Sequence, residues 1–240
     1  MLRILSLFLA ITTLFSCSSA RHSQSSGRLP KGWISLFDGQ STAGWHSYGS
    51  TTAGAAWKAQ DGTLYLDNSY KKDKSSTVKG GDLVTDLSFD NFHLKLEWKI
   101  SKNGNSGIIY HVQDDKPKYE YVWFTGPEMQ ILDNEGHSDG KKPNHRAGSL
   151  YDMIAGTEGI VKQPEEWNLA EIICDHGKLE LRLNNVTVVS TTYGNDNWKK
   201  LVAESKFKNL PNFGKVFSGH IALQDHGNDV WFRNIMVKRL

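Results

Sequence analysis

The chain has 240 residues, 28 basic and 26 acidic, with a formal net charge of +2 and 38% hydrophobic content. That composition is globular, and its charge balance supplies no reason for nucleic acid or an anionic membrane surface as partner. Only two cysteines are present, Cys17 and Cys174, so a disulfide-stapled scaffold is excluded.

Met1-Leu2-Arg3 makes a short positive start, and Ile4 to Leu14 is a mostly apolar run. That run is too short to span a bilayer as a helix and reads as a secretion signal. It ends in Leu14-Phe15-Ser16-Cys17, which resembles a bacterial lipobox, in which the cysteine is lipidated and becomes the new N-terminus. The plainer alternative is an ordinary signal peptide cleaved near Ala20. The reading is therefore a signal peptide over 1–16, a Ser-rich tether over 17–31 and one β-sandwich domain over 32–240. It predicts a bacterial cell-envelope protein, periplasmic or an outer-membrane lipoprotein, touching membrane only through its lipid. Cys174, in the apolar segment AEIIC, is expected to fill core.

Short strand-like segments then follow one another. WISLFDG comes first, and AAWKAQDGTLYLD carries Asp61-Gly62 as a hairpin signal. GDLVTDLSF is next. In NFHLKLEWKIS, Phe92, Leu94, Leu96, Trp98 and Ile100 alternate with His93, Lys95, Glu97 and Lys99, a period-2 strand with one apolar face. NSGIIYHV, YEYVWF and PEMQIL continue the strand pattern. After an irregular stretch come NLAEIIC, LELRLNN and VTVVSTT, with DHGK and LNNV as tight turns. Asp196 to Phe207 is the one short helix, and GHIALQD and VWFRNIMVKRL close the chain. This count of strands and polar turns predicts an all-β sandwich of two antiparallel sheets. The polar stretches near 67–81 and 133–167 are long loops of the kind that often carry function.

No P-loop, dinucleotide fingerprint or GxSxG elbow is present. His137 and His145 share a loop with Asp133, Glu135 and Asp139; solvation explains that loop more simply than a metal does. Strand parity is more informative. Met129 and Ile131 belong to the core, so Glu128 and Gln130 face away from it. Glu97 lies opposite the apolar face of its strand, His111 shares a face with Ile109, and Gln224 shares one with His226. Trp231 and Arg233 oppose Val230 and Phe232. Each residue alone has a bland reading as solvated face or satisfied core. Together, carboxylates, amides and aromatic faces form a set suited to sugars: rings stack on pyranose C–H faces, while carboxylates and amides bind adjacent hydroxyls. A carbohydrate substrate is expected, with convergence of these side chains in one hollow as the structural requirement.

SLFDGQSTAGW, LEWKISKNGNSGIIYHV, TGPEMQILD, AGSLYDM, EEWN, LNNV and GHIALQDHGNDVWFRNI occur in that order. The ordered set resembles the 3-keto-disaccharide hydrolase family, also described as 3-keto-glucoside 1,2-lyase/3-keto-2-hydroxyglucal hydratase, over roughly residues 32–240. Gly148-Ser149-Leu150-Tyr151 departs slightly from the family's usual Gly-Ala-(Leu)-Tyr. The resemblance implies a concanavalin A-like jelly-roll sandwich and export, often as a lipoprotein. It also implies a partner, a sugar 3-oxidoreductase, that makes the ketone. The implied reaction is C2 deprotonation, elimination of the C1 substituent, and water addition giving net hydrolysis. The chemistry then needs a base, a group stabilising the enolate oxygen and a proton donor. Glu128 or His111 is expected as the base, Arg233 or His226 at the enolate, and Tyr151 as donor to the leaving oxygen. Glu97, Gln130 and Asp225 are expected to bind sugar hydroxyls or orient the histidines, with Trp123 or Trp231 as the stacking platform. No cofactor is required by these residues, though a divalent cation is compatible with them. The competing reading is a non-catalytic lectin-like module on the same sandwich.

Overall fold

The computed structural model describes residues 29–73 and 75–240, so the signal segment, Cys17 and most of the tether lie outside the described residues. The strands are β1 (Trp33–Ser35), β2 (Trp45–Ser47), β3 (Trp57–Gln60), β4 (Thr63–Leu66), β5 (Leu83–Phe89), β6 (Phe92–Ile100) and β7 (Asn105–Val112). They continue as β8 (Glu128–Leu132), β9 (Asn168–Asp175), β10 (Lys178–Leu183), β11 (Val186–Thr192), β12 (Gly219–Leu223) and β13 (Val230–Arg239). One antiparallel sheet runs β11-β10-β9-β6-β13-β4-β3, with β1 also on β13; the other runs β2-β5-β12-β7-β8. The chain crosses between them at β1–β2, β2–β3, β4–β5, β5–β6, β6–β7, β8–β9, β11–β12 and β12–β13. The result is the sandwich of two antiparallel sheets that the strand pattern predicts, in the jelly-roll form that the family resemblance implies.

Turn chemistry sets the hairpins. Asp61 and Gly62, His176 and Gly177, and Asn184 and Asn185 all have positive φ, the backbone that two-residue hairpin loops require. The core lies between the sheets. Phe92, Leu94, Leu96 and Trp98 from β6 meet Leu83, Ile108, Tyr110, Met129, Ile131 and Leu223 from the second sheet, all at most 1% exposed. At about 1.5–3 kcal/mol for each fully buried large apolar side chain, this layer fixes which face of every strand is inside. Cys174 is buried in it as an unpaired thiol.

The expected helix is present as α2 (Asp196–Glu204), capped by Asn195 accepting from Trp198 N at 2.8 Å, with Trp198 buried. A single helical turn, α1 (Ser69–Lys72), was not expected. YEYVWF also departs from expectation: Val122–Phe124 forms a 3-10 turn, not a strand. Its side chains do not alternate between a core and a solvent face. Tyr121 instead stacks on Trp123 at 5.2 Å, and Phe124 meets both edge-on.

Candidate active site

The outer face of the second sheet carries the polar hollow. Gly107 pairs with Gln130 and Ile109 with Glu128, so the acid and the amide of β8 stand beside β7 on the non-core side. Glu128 does not project straight out. A Cβ built on Gly107 would lie 2.0 Å from Glu128 Oε1 and 2.6 Å from Cδ, so the carboxyl occupies the space a side chain at 107 would fill. A strand glycine often marks such a close approach. Glu128 is 5% exposed and Gln130 1% exposed. Burial first, then the charges of Asp82 and Asp139, push the Glu128 carboxyl up to about 8, against the opposing pull of Lys206.

Two further segments wall the hollow. Residues 148–151 run antiparallel along the free edge of β8: Gly148 N donates to Gln130 O, and Tyr151 N donates to Glu128 O at 3.0 Å. Leu150 bridges Met129 and is buried, so alternation turns Tyr151 outward beside Glu128. The Tyr151 hydroxyl donates to Asp139 Oδ2 at 3.0 Å, and His145 Nδ1 approaches the same oxygen at 3.3 Å. His145 Nε2 lies 2.7 Å from Asp152 Oδ1, and the other Asp152 oxygen accepts from Lys206 N at 2.6 Å. Asp152 thus ties the 143–152 loop to the 3-10 turn Lys206–Asn209 after α2. Lys206 Nζ sits 4.2 Å from the Tyr151 ring centroid and 5.7 Å from that of Trp123. Desolvation lowers the Lys206 pKa, with Glu128, Asp152 and Asp139 opposing it. Burial and the adjacent Asp139, Glu128 and Asp152 push Tyr151 well above its ordinary value, so it is a neutral phenol. Burial alone would raise Asp139; the hydrogen bonds from Tyr151 and His145 outweigh it and keep the carboxylate ionised.

The expected set is therefore split. Glu128, Gln130, Tyr151 and Trp123 share the hollow. His226 stands at its rim, its ring 6.1 Å from His137. Desolvation of the ring, then His137 and Lys71, lower the His226 pKa. Asp225 lies next to it with both oxygens committed: to Tyr70 Oη at 2.5 Å and Gly81 N at 2.7 Å, and to Lys71 Nζ at 2.9 Å and Gly227 N at 3.0 Å. It pins two loops instead of offering lone pairs to a sugar.

His111 is not in the hollow. Its φ is +56°, and β7 carries one more residue than β12 between the pairs Ile109–Ala222 and Val112–His220. This bulge overturns the expected parity. It turns His111 inward, 3% exposed, against Phe92, Tyr110 and Tyr193, with Nε2 3.2 Å from Asp90 O. Burial lowers its pKa to about 4.

Glu97, Arg233 and Trp231 are on the outer face of the other sheet, so the core separates them from Glu128. Arg233 Nη2 donates to Glu97 Oε2 at 2.6 Å, and Asn234 donates to Oε1 at 2.8 Å. Arg233 lies over Trp167 at 4.0 Å. Trp231 is stacked on Tyr65 at 4.8 Å and lies 4.5 Å from Lys99 Nζ, so neighbours cover its ring. These groups satisfy one another as cross-strand pairs.

Asp82, Asp139, His145, Asp152, Lys206 and Gly107 completed the hollow without being singled out as site residues. Gly107 inside a strand was the readable signal. Lys206 had none, since its place depends on the contact between Asp152 and the turn after α2. Among the described residues no three His, Cys, Asp or Glu side chains gather as a metal site. Asp133 instead caps its own loop through Glu135 N and Gly136 N and holds the turn between β6 and β7 through Asn103 N.

Relatives of known class share this chain. It is 37% identical over 229 residues to the 3-keto-disaccharide hydrolase of Bacteroides thetaiotaomicron, covering 87% of this chain and 79% of that protein. A crystal structure from Parabacteroides distasonis, provisionally assigned as a glycosyl hydrolase, superposes with a TM-score of 0.78 at 31% identity, covering 87% of this chain and 94% of that one. A second from the same organism gives 0.64 at 26% identity, covering 87% and 99%. The protein is thus a hydrolase-type enzyme of the glycoside-acting class. More narrowly, residues 32–238 match the 3-keto-alpha-glucoside-1,2-lyase-like domain, and the chain belongs to that family.

Proposed function

We propose that this enzyme cleaves 3-keto-glycosides by removing the C2 proton and expelling the C1 substituent. The observation that carries the reading is the Glu128 carboxyl, buried over Gly107 with an ammonium and a phenol beside it. A ketone at C3 acidifies the C2 hydrogen, and a desolvated carboxylate is a stronger base than an exposed one. Glu128 takes that proton. Lys206 stabilises the enolate oxygen electrostatically in a water-poor site. Tyr151, held by Asp139 and His145, donates to the departing oxygen. An alkoxide is basic enough to take a proton from a phenol. Water then adds at C1 while Glu128 returns its proton to C2; the proton that the water gives up leaves to solvent, and the Tyr151 phenolate regains one from it. Gln130 and Trp123 hold the ring.

Ile4–Leu14 and the LFSC segment support an exported, lipid-anchored form in the bacterial envelope. The substrate must come from an oxidation at C3, so a sugar 3-oxidoreductase is the proposed functional partner.

The test supplies a 3-keto-glucoside and, separately, its unoxidised parent, and follows aglycone release by the wild type and by Glu128→Gln. Release from the keto substrate alone, reduced about 10²–10⁴-fold in the variant, is expected. Saturable binding of both sugars without turnover would establish the lectin-like alternative instead.

A further inference from the structure

Asp82 has no part in the mechanism above. It precedes β5 by one residue. Leu83 pairs with Leu223, which pairs with Ile108, and Gly107 pairs with Gln130. The row across the outer face therefore reads Asp82, Gln224, Gly107, Gln130, and Glu128 leans over that glycine from the adjoining row. Asp82 is held in place: Tyr48 N donates to its carbonyl at 2.8 Å, and Asp225 N donates to Oδ1 at 2.9 Å. Oδ2 accepts no hydrogen bond and the carboxylate makes no ion pair among the described residues, because Lys71 is given to Asp225. Beside it, Gln224 Oε1 is buried without a donor. A buried acceptor without a partner points to one supplied by a ligand. Two acceptors, one anionic, thus face the floor on which Glu128 lies.

We infer that Asp82 is a further catalytic residue, the base that activates water for addition at C1, with Gln224 as the second acceptor for that water. The inference rests on the proposed keto-glycoside reaction. In the elimination, the C2–H electrons form the C1–C2 double bond through the enolate, the C1–O bond breaks, and Glu128 holds the proton. In the hydration, a water O–H proton passes to Asp82 as that oxygen bonds to C1, and the Glu128 proton returns to C2. Asp82 then releases its proton to solvent, and the Tyr151 phenolate left by the elimination takes one up, so the site returns to its starting state. The proton affinities suit this order. Burial first, then the charge of Asp225, raise Asp82 to about 6, so it is ionised at neutral pH, whereas Glu128 keeps a proton more firmly.

Asp82→Asn tests the assignment, because its amide oxygen can still accept from Asp225 N. The wild type and variant are given a 3-keto-glucoside and, separately, the unsaturated 2-hydroxy-3-keto sugar, with products followed by NMR and folding by thermal melt. The ratio of hydrated to unsaturated product is expected to fall by at least about 100-fold in Asp82→Asn. Asp82→Glu, which keeps the base, restores much of it. An unchanged ratio, or elimination and hydration falling in step with a collapsed melt, overturns the assignment while leaving the keto-glycoside reading intact. A wild type inert on both compounds overturns both.

Discussion

Gly107→Ala isolates the role of Glu128 placement from that of Glu128 chemistry. Gly107 does not have positive φ, so alanine is compatible with its backbone, and removing a strand glycine should by itself stabilise by about 0.5–1 kcal/mol. The added methyl, however, would lie 2.0 Å from Glu128 Oε1, whereas ordinary contact begins at 3.4 Å. The carboxyl must therefore retreat by about 1.4 Å (3.4 − 2.0). Misplacing a catalytic group by about 1 Å can cost about 10²-fold, equivalent to about 2.7 kcal/mol of barrier. The expected outcome is a kcat/KM for aglycone release about 100-fold below wild type in a protein whose melting temperature shifts by no more than a few degrees. Wild-type turnover in Gly107→Ala would refute the idea that the seat over this glycine positions the base.

Four further outcomes can be measured. Glu128 is raised from 4.5 to about 8, so the folded state keeps a proton that the unfolded chain releases. Its contribution is therefore a stability loss that sets in as pH rises from about 4.5 through 8, on the order of a few kcal/mol, and chemical denaturation should show a steeper decline for wild type than for Glu128→Gln over that window. The same ionisation should make kcat/KM rise with pH toward about 8; a flat profile through that region would count against Glu128 as base. Histidine 111 is depressed to about 4, so stability should be lost as pH falls from 6.5 through 4, and His111→Ala should lower stability by about 2 kcal/mol while folded protein keeps its kcat. Tyr151→Phe should slow release of a sugar leaving group by about 10²-fold but barely affect a nitrophenolate, which needs no proton; equal losses for both would exclude it as donor.

Much of the architecture was legible in the chain. Alternation in Phe92–Ile100 named the core face of β6, and Asp61-Gly62, His176-Gly177 and Asn184-Asn185 marked hairpins, because turn backbones and strand pleats are local properties. The parity of Met129 and Ile131 likewise sent Glu128 and Gln130 to the outer face. Strand parity cannot say which sheet an outer face belongs to, so Glu97, Arg233 and Trp231 looked equivalent to Glu128 until pairing placed β6 and β13 in the opposite sheet. Nor does it survive a bulge: one extra residue in β7 carried His111 from the outer face to the interior. The walls of the hollow were decided later still. Tyr151 is set by the pairing of residues 148–151 on the edge of β8, and Lys206 by a single carboxylate, Asp152, reaching across 54 positions of sequence. Local periodicity determines what each segment contributes; only the packing of distant segments decides which contributions meet.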